Sequence, residues 1–149
     1  MNILSIDLGT KTGWAIENGC FIESGVVDLK CDRFSGGGMR FLKFERFLDD
    51  LFNKYKIGTV YFESVRRHIG TDAAHSYGAF WGTLTSWCEK KSIPYEGIPV
   101  QSIKKFATGK GNAKKESVIE SIKSMGYSPV DDNEADAIAL LLLAKTKHK

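Results

Sequence analysis

A chain of 149 residues is long enough to bury a sizeable core and fits a single domain over 1–149. Its 42% apolar and 26% charged content is ordinary for a globular protein, and no apolar stretch approaches the roughly 18 residues needed to cross a bilayer, so no membrane partner is expected. A net charge of +3 selects no partner, and three cysteines (Cys20, Cys31, Cys88) without a Cys-x-x-Cys spacing offer neither a disulfide framework nor a zinc site.

Residues 2–7 and 12–17 read as strands around a Gly9–Lys11 turn. Asp7 and Lys11 interrupt this apolar segment, so it does not read as a signal peptide, and with unpaired cysteines the expected location is a reducing cytoplasm. A third strand, 20–29, follows Asn18-Gly19, the strongest short hairpin signal. Cys31–Gly38 is a connection with three glycines at its tip. From Met39 to Lys56 the residues Phe41, Phe44, Leu48, Leu51 and Tyr55 recur at helical spacing, and Gly58 is placed to stop the helix.

Thr59–Glu63 is β-branched and aromatic, a short buried strand ending in an acid. Asp72 is a candidate cap for a helix over 73–91, in which Gly78 and Gly82 leave room for another backbone. Tyr77, Phe80, Leu84, Trp81 and Trp87 read most simply as core, although aromatics on more than one side leave room for a dimer interface. Ile93–Ile98 reads as a strand and Pro99–Ala107 as a short helix. Asn112 is placed to cap a helix over 113–125, and Asp131 or Asp132 to cap a last helix carrying Ala137, Ile138 and Leu140–Leu142. A three-stranded meander followed by alternating helices and strands predicts an α/β fold: a five-stranded mixed sheet, three strands antiparallel and two parallel, flanked by helices.

The acids fall in a pattern. Asp7 and Glu63 each end an apolar strand, where an ionised carboxylate is costly to bury without a partner. If their strands are parallel neighbours, both tips share one sheet edge, where open α/β sheets bind ligands. Asp136 begins the apolar face of the last helix, with Asn133 and Asp132 about one turn before it on the same side. Glu134 is expected to point elsewhere, capping or facing solvent. Converging carboxylates without histidine or cysteine are hard oxygen ligands suited to Mg²⁺ or Mn²⁺, and such a cluster can serve phosphodiester hydrolysis. Between Lys104 and Lys115 stand five lysines (104, 105, 110, 114, 115) and no acid, which fits a phosphate-binding rim as well as a solvated loop.

Taken together, Asp7-Leu-Gly-Thr-Lys-Thr-Gly-Trp-Ala, Phe62-Glu63, the Ile103–Glu116 basic segment and Asn133-Glu-Ala-Asp136-Ala-Ile-Ala-Leu resemble the motifs of RuvC-type Holliday junction resolvases, within the ribonuclease H-like nucleases. The wording of the basic segment is most similar to phage or prophage members. The resemblance spans nearly the whole chain. It implies a homodimer that binds a four-way DNA junction and nicks two opposed strands with Mg²⁺, Mn²⁺ substituting. It also implies Asp7, Glu63 and Asp136 as metal ligands, with Lys104 and Lys115 at scissile or flanking phosphates, Lys115 in a catalytic role. Lys105, Lys110 and Lys114 belong to the same DNA-binding segment.

The chain departs from the family at two places. Asn133 stands where a further acid or histidine is usual, so the fourth ligand is either Asn133 or Asp132. Arg66 stands where cellular members stack an aromatic at the junction centre, so Arg66, Arg67 and His68 are read as phosphate contacts, or Arg66 as a side chain that stacks on a base. His68 and His75 are read as surface or phosphate contacts rather than metal ligands. Gly9-Thr10-x-x-Gly13 also resembles the phosphate loop of actin-like ATPases, but these need two such domains, so no nucleotide cofactor is expected. The competing readings are a YqgF-like nuclease that matures ribosomal RNA and a catalytically inactive junction-binding protein.

Overall fold

Two tight turns fold residues 2–28 into a meander of β1 (Asn2–Asp7), β2 (Lys11–Asn18) and β3 (Phe21–Asp28). The second turn uses Gly19 at φ 65°, a left-handed conformation that glycine adopts at no steric cost. The computed structural model describes residues 2–148. After the meander come α1 (Met39–Lys54), β4 (Ile57–Ser64), α2 (Thr71–Lys91), β5 (Tyr95–Pro99), α3 (Val100–Thr108), α4 (Lys115–Ser124) and α5 (Asp132–Lys147). The strands form one mixed sheet in the order β3-β2-β1-β4-β5, antiparallel through the meander and parallel for β1–β4 and β4–β5. This is the expected five-stranded arrangement.

Side chains alternate across the sheet, and each face has its own helices. Leu4, Ile6, Ile16, Val60 and Phe62 pack with Phe44, Leu48 and Leu51 of α1 and Phe80, Leu84 and Trp87 of α2. On the opposite face Ile3, Ala15, Tyr61 and Ile98 meet α3, α4 and α5. Helix α5 is buried from Ala137 through Leu141 without a break, as expected of a helix laid across the middle of a sheet. No helix among the described residues is long and apolar enough to cross a membrane.

Several boundaries differ from the sequence expectation. Helix α1 ends at Lys54 because Tyr55 turns extended (φ −124°, ψ 151°), so Gly58 is not its stop but lies within β4, which starts at Ile57. Asp72 does not cap α2; Gly70 at φ 94° occupies that position, and Asp72 sits in the first turn. Asn112 does not cap α4, which begins at Lys115 after an extended Lys114. Asp131 does cap α5, accepting the Glu134 N–H at 2.9 Å. Trp87 is core, donating to Asp49 Oδ1 at 2.9 Å, whereas Trp81 is 47% exposed and Gly78 and Gly82 face open space.

Candidate metal centre

Ile6 lies opposite Phe62 in the parallel β1–β4 pair, so the next residues, Asp7 and Glu63, leave the sheet side by side at one edge. Period two puts Asp7 on the face of Ile3 and Ser5, and Glu63 on the face of Tyr61. That is the face covered by α5.

The start of α5 is seated by three contacts. Ser5, fully buried, donates its Oγ to the Ala137 carbonyl at 2.6 Å. Gly13, paired with Asp7, lies so close under the helix that a Cβ there would stand 2.0 Å from the Asn133 carbonyl oxygen. The third contact corrects the expectation for Glu134. It points away from the cluster and reaches back to the Val130 N–H at 3.0 Å, just before the cap, but it does not face solvent: it is 7% exposed and also accepts from Ser24 Oγ at 2.6 Å. With α5 nearly enclosed, the position that looked outward on a helical wheel meets the edge strand β3 instead.

Asp136 is thereby delivered to the two strand tips. Ligand oxygens of Asp7, Glu63 and Asp136 lie within 4.8 Å of one another, the one such grouping of acids, histidines or cysteines among the described residues. All three side chains are half-buried. Burial, then the charge of Glu63 and a hydrogen bond with it, then Asp136 and Asp132, hold the Asp7 carboxyl well above the usual carboxylate range. Burial, with Glu63 and Asp132 adding, lifts Asp136 to about 7 against the opposing pull of Lys104 and Lys115. Carboxylates so placed are mutually repulsive unless a cation or proton joins them. The donor set is all hard oxygen, with neither sulfur nor imidazole, which fits Mg²⁺ or Mn²⁺ and not zinc.

Asp132 and Asn133 separate. Asp132 acts on Asp7 and Asp136 through its charge and forms an ion pair with Lys115 at 3.5 Å. Asn133 turns its amide nitrogen to Asp131 Oδ2 at 3.3 Å, and its backbone carbonyl lies against Gly13.

A pocket of about 140 Å³ opens beside the acids, lined by Glu63 and Asp136 with Lys104, Lys115, Val100 and Ile103. Lys105, Lys110 and Lys114 are exposed on the same α3–α4 segment and do not line it. Arg66 and Arg67, exposed just beyond Glu63, line a second pocket of about 560 Å³ with Pro99 and Gln101; the two pockets share Val100 and so adjoin.

Tyr77 has a place here that its sequence pattern did not announce. Its Oη donates to the Glu63 carbonyl at 2.9 Å and accepts the Val65 N–H at 3.3 Å. Burial and, less strongly, the charges of Glu63 and Asp7 raise its phenol, against the pull of the Val65 N–H. The His68 ring rests on it at 4.9 Å, while His75 is exposed. Nothing in an i, i+3, i+4 pattern distinguishes a tyrosine that fills space from one whose hydroxyl completes a backbone.

The sequence matches no protein-family model and no curated protein. Solved structures do resemble it. Thermus thermophilus RuvC matches with a TM-score of 0.76 at 18% identity, covering 99% of this chain and 97% of that one. The same protein in complex with Holliday junction substrate gives 0.80 at 18% identity, over 99% and 94% of the two chains. The Fowlpox virus resolvase, in complex with its substrate Holliday junction DNA, gives 0.60 at 14% identity, over 97% and 99%. The fold is therefore ribonuclease H-like, in the RuvC arrangement.

Proposed function

We propose that this chain is a divalent-metal-dependent endodeoxyribonuclease that resolves four-way or other branched DNA by paired symmetric nicks. The observation that carries the reading is the convergence of Asp7, Glu63 and Asp136, within 4.8 Å, beside a pocket lined by Lys104 and Lys115. A protein that only bound junctions would have no use for three mutually repelling carboxylates beside a pocket that Lys104 and Lys115 also line. The RuvC arrangement, found in a neighbour solved with Holliday junction substrate, supports branched DNA as the substrate class.

Asp7, Glu63 and Asp136 would hold Mg²⁺, or Mn²⁺ in its place, with a fourth ligand from Asp132, whose charge acts on Asp7 and Asp136, or from the amide oxygen of Asn133, whose amide nitrogen is the atom engaged at the helix cap. A divalent cation held by these three carboxylates would supply water activation and offset charge on a scissile phosphate. The chain's own groups do the remainder. Lys104 and Lys115 donate hydrogen bonds to the phosphate oxygens and add positive charge where negative charge accumulates as phosphorus becomes five-coordinate. Asp132 keeps the Lys115 ammonium beside the pocket through their ion pair. Arg66 and Arg67 take the flanking backbone, and Lys105, Lys110 and Lys114 extend the basic track along the outer surface. Two opposed nicks call for two such centres, hence a homodimer, with the exposed Trp81 face of α2 as the surface offered to the second copy.

The test is cleavage of a synthetic mobile four-way junction against linear duplex and structured RNA, in Mg²⁺, Mn²⁺ or Ca²⁺. Paired symmetric nicks in the junction, lost in Asp7→Asn, are the expected result. Preferred cleavage of RNA, or binding without cleavage in either Mg²⁺ or Mn²⁺, would sink the proposal.

A further inference from the structure

Glu63 is the one acid of the cluster that sits where its strand is running out of partners. In a parallel strand, alternate residues turn their backbone groups to the same neighbour. The Val60 N–H goes to Pro94 O at 3.0 Å, so residues 60, 62 and 64 face β5, and residues 61, 63 and 65 face β1. But β1 ends at Asp7, where the chain turns into its hairpin, and the last matched pair is Ile6 with Phe62. The Glu63 carbonyl and the Val65 N–H are therefore left facing a strand that has stopped.

Tyr77 Oη occupies that place, donating to the Glu63 carbonyl at 2.9 Å and accepting from the Val65 N–H at 3.3 Å. A hydroxyl offers a donor and an acceptor on one atom, which is what a missing strand neighbour has to supply. The same side chain supports the loop that follows, since the His68 ring packs on it at 4.9 Å. Glu63 and the Arg66–Arg67 loop thus lean on one residue of α2.

We propose that Tyr77 is a positioning residue for Glu63: its hydroxyl continues the β1–β4 ladder one step past the end of β1 and so fixes the backbone from which the Glu63 carboxylate reaches the cluster. Tyr77 has no contact with substrate in this role; it acts through Glu63. The proposal rests on the reading of Asp7, Glu63 and Asp136 as metal ligands.

The test uses no DNA. Tyr77→Phe keeps the ring and deletes the hydroxyl. Backbone amide hydrogen exchange followed by NMR reports the ladder, and titration calorimetry with Mn²⁺ reports the site. Expected in Tyr77→Phe are Val65 exchange faster by about tenfold and Mn²⁺ affinity lower by about three- to tenfold, the scale set by losing one ordered hydrogen-bonding group. His68→Ala, which removes the ring packed on Tyr77 and leaves the hydroxyl, should keep both near wild type. Unchanged Val65 exchange or unchanged Mn²⁺ affinity in Tyr77→Phe overturns the proposal. So does an equal loss in His68→Ala, which would assign the effect to ring packing. A wild-type protein that binds no Mn²⁺ overturns the metal reading instead, and Val65 exchange then decides the ladder contact alone.

Discussion

At the scale of single residues, the acids repel one another in a way that ties stability to pH. Asp136 is lifted to about 7 from an ordinary value of 3.8, and Asp7 moves in the same direction. The folded state thus holds these protons more tightly than the unfolded chain does. Between the two values it carries more bound protons, so stability falls as pH rises through that window, by up to about 1.4 kcal/mol per pH unit for one group. The metal-free protein should therefore melt at a higher temperature at pH 5.5 than at pH 8. Asp136→Asn should flatten that dependence while abolishing Mg²⁺ binding. A metal-free melting temperature that rises toward pH 8 would contradict the assignment.

Lys115 makes a second test at this scale. It lines the pocket and pairs with Asp132, so Lys115→Ala should lower cleavage more than junction affinity, by about ten- to a hundredfold in rate. Lys105→Ala and Lys114→Ala, exposed and outside the pocket, should chiefly reduce the salt slope of binding. Equal loss of rate and affinity at Lys115 would place it with the outer lysines. Asp7, Glu63 and Asp136 were legible because a carboxylate that interrupts an apolar run is conspicuous. Glu134 and Tyr77 were not, because their importance lies in which backbone groups lack partners, and a linear pattern does not record that.

Among the elements, the position of α5 decides whether three acids meet, and Gly13 controls that position. No left-handed backbone explains this glycine; what requires it is the Asn133 carbonyl, 2.0 Å from where a Cβ would be. Gly13→Ala must push back the first turn of α5, carrying Asp132 and Asp136 away from Asp7 and Glu63. The expected outcome is destabilisation of about 2–4 kcal/mol in denaturant unfolding, with Mg²⁺ affinity reduced beyond what the stability loss explains. Wild-type affinity in a folded Gly13→Ala protein would show that α5 has slack at its start. The sequence showed an Asp followed six residues later by a glycine and suggested a phosphate loop as one use for it; the contact with Asn133 accounts for the glycine by packing alone. Strand identities and the antiparallel meander were legible from β-branched runs and the Asn-Gly turn, whereas the adjacency of β1 and β4 entered only as a condition. Helix starts were not at Asp72 and Asn112, since a side chain able to cap does so only where the turn before it aims the free N–H groups its way. At α2 and α4 the backbone at Gly70 and Lys114 sets the entry instead.

For the whole molecule, the paired nicks proposed above need two centres and so a second copy. The five-stranded sheet places Asp7, Glu63 and Asp136 at one edge, while α2 lies on the opposite face from α5 with Trp81 47% exposed and Gly78 and Gly82 open beside it. A large aromatic flanked by glycines offers a flat apolar contact that two copies can share about a two-fold axis. Trp81→Lys puts a charge at the middle of that contact without touching the acids, the lysines of the pocket or the buried side of α2. Sedimentation should show a dimer for the wild type and a monomer for Trp81→Lys. On a supercoiled plasmid carrying an extruded cruciform, the dimer should yield linear product from two nicks within one binding event. The monomer should yield nicked circles first, because each cut then needs a separate encounter and the first nick releases the supercoiling that sustains the cruciform. A variant that sediments as a monomer yet still produces linear DNA directly would separate strand pairing from this face of α2. A variant that remains a dimer would place the subunit contact elsewhere on the molecule.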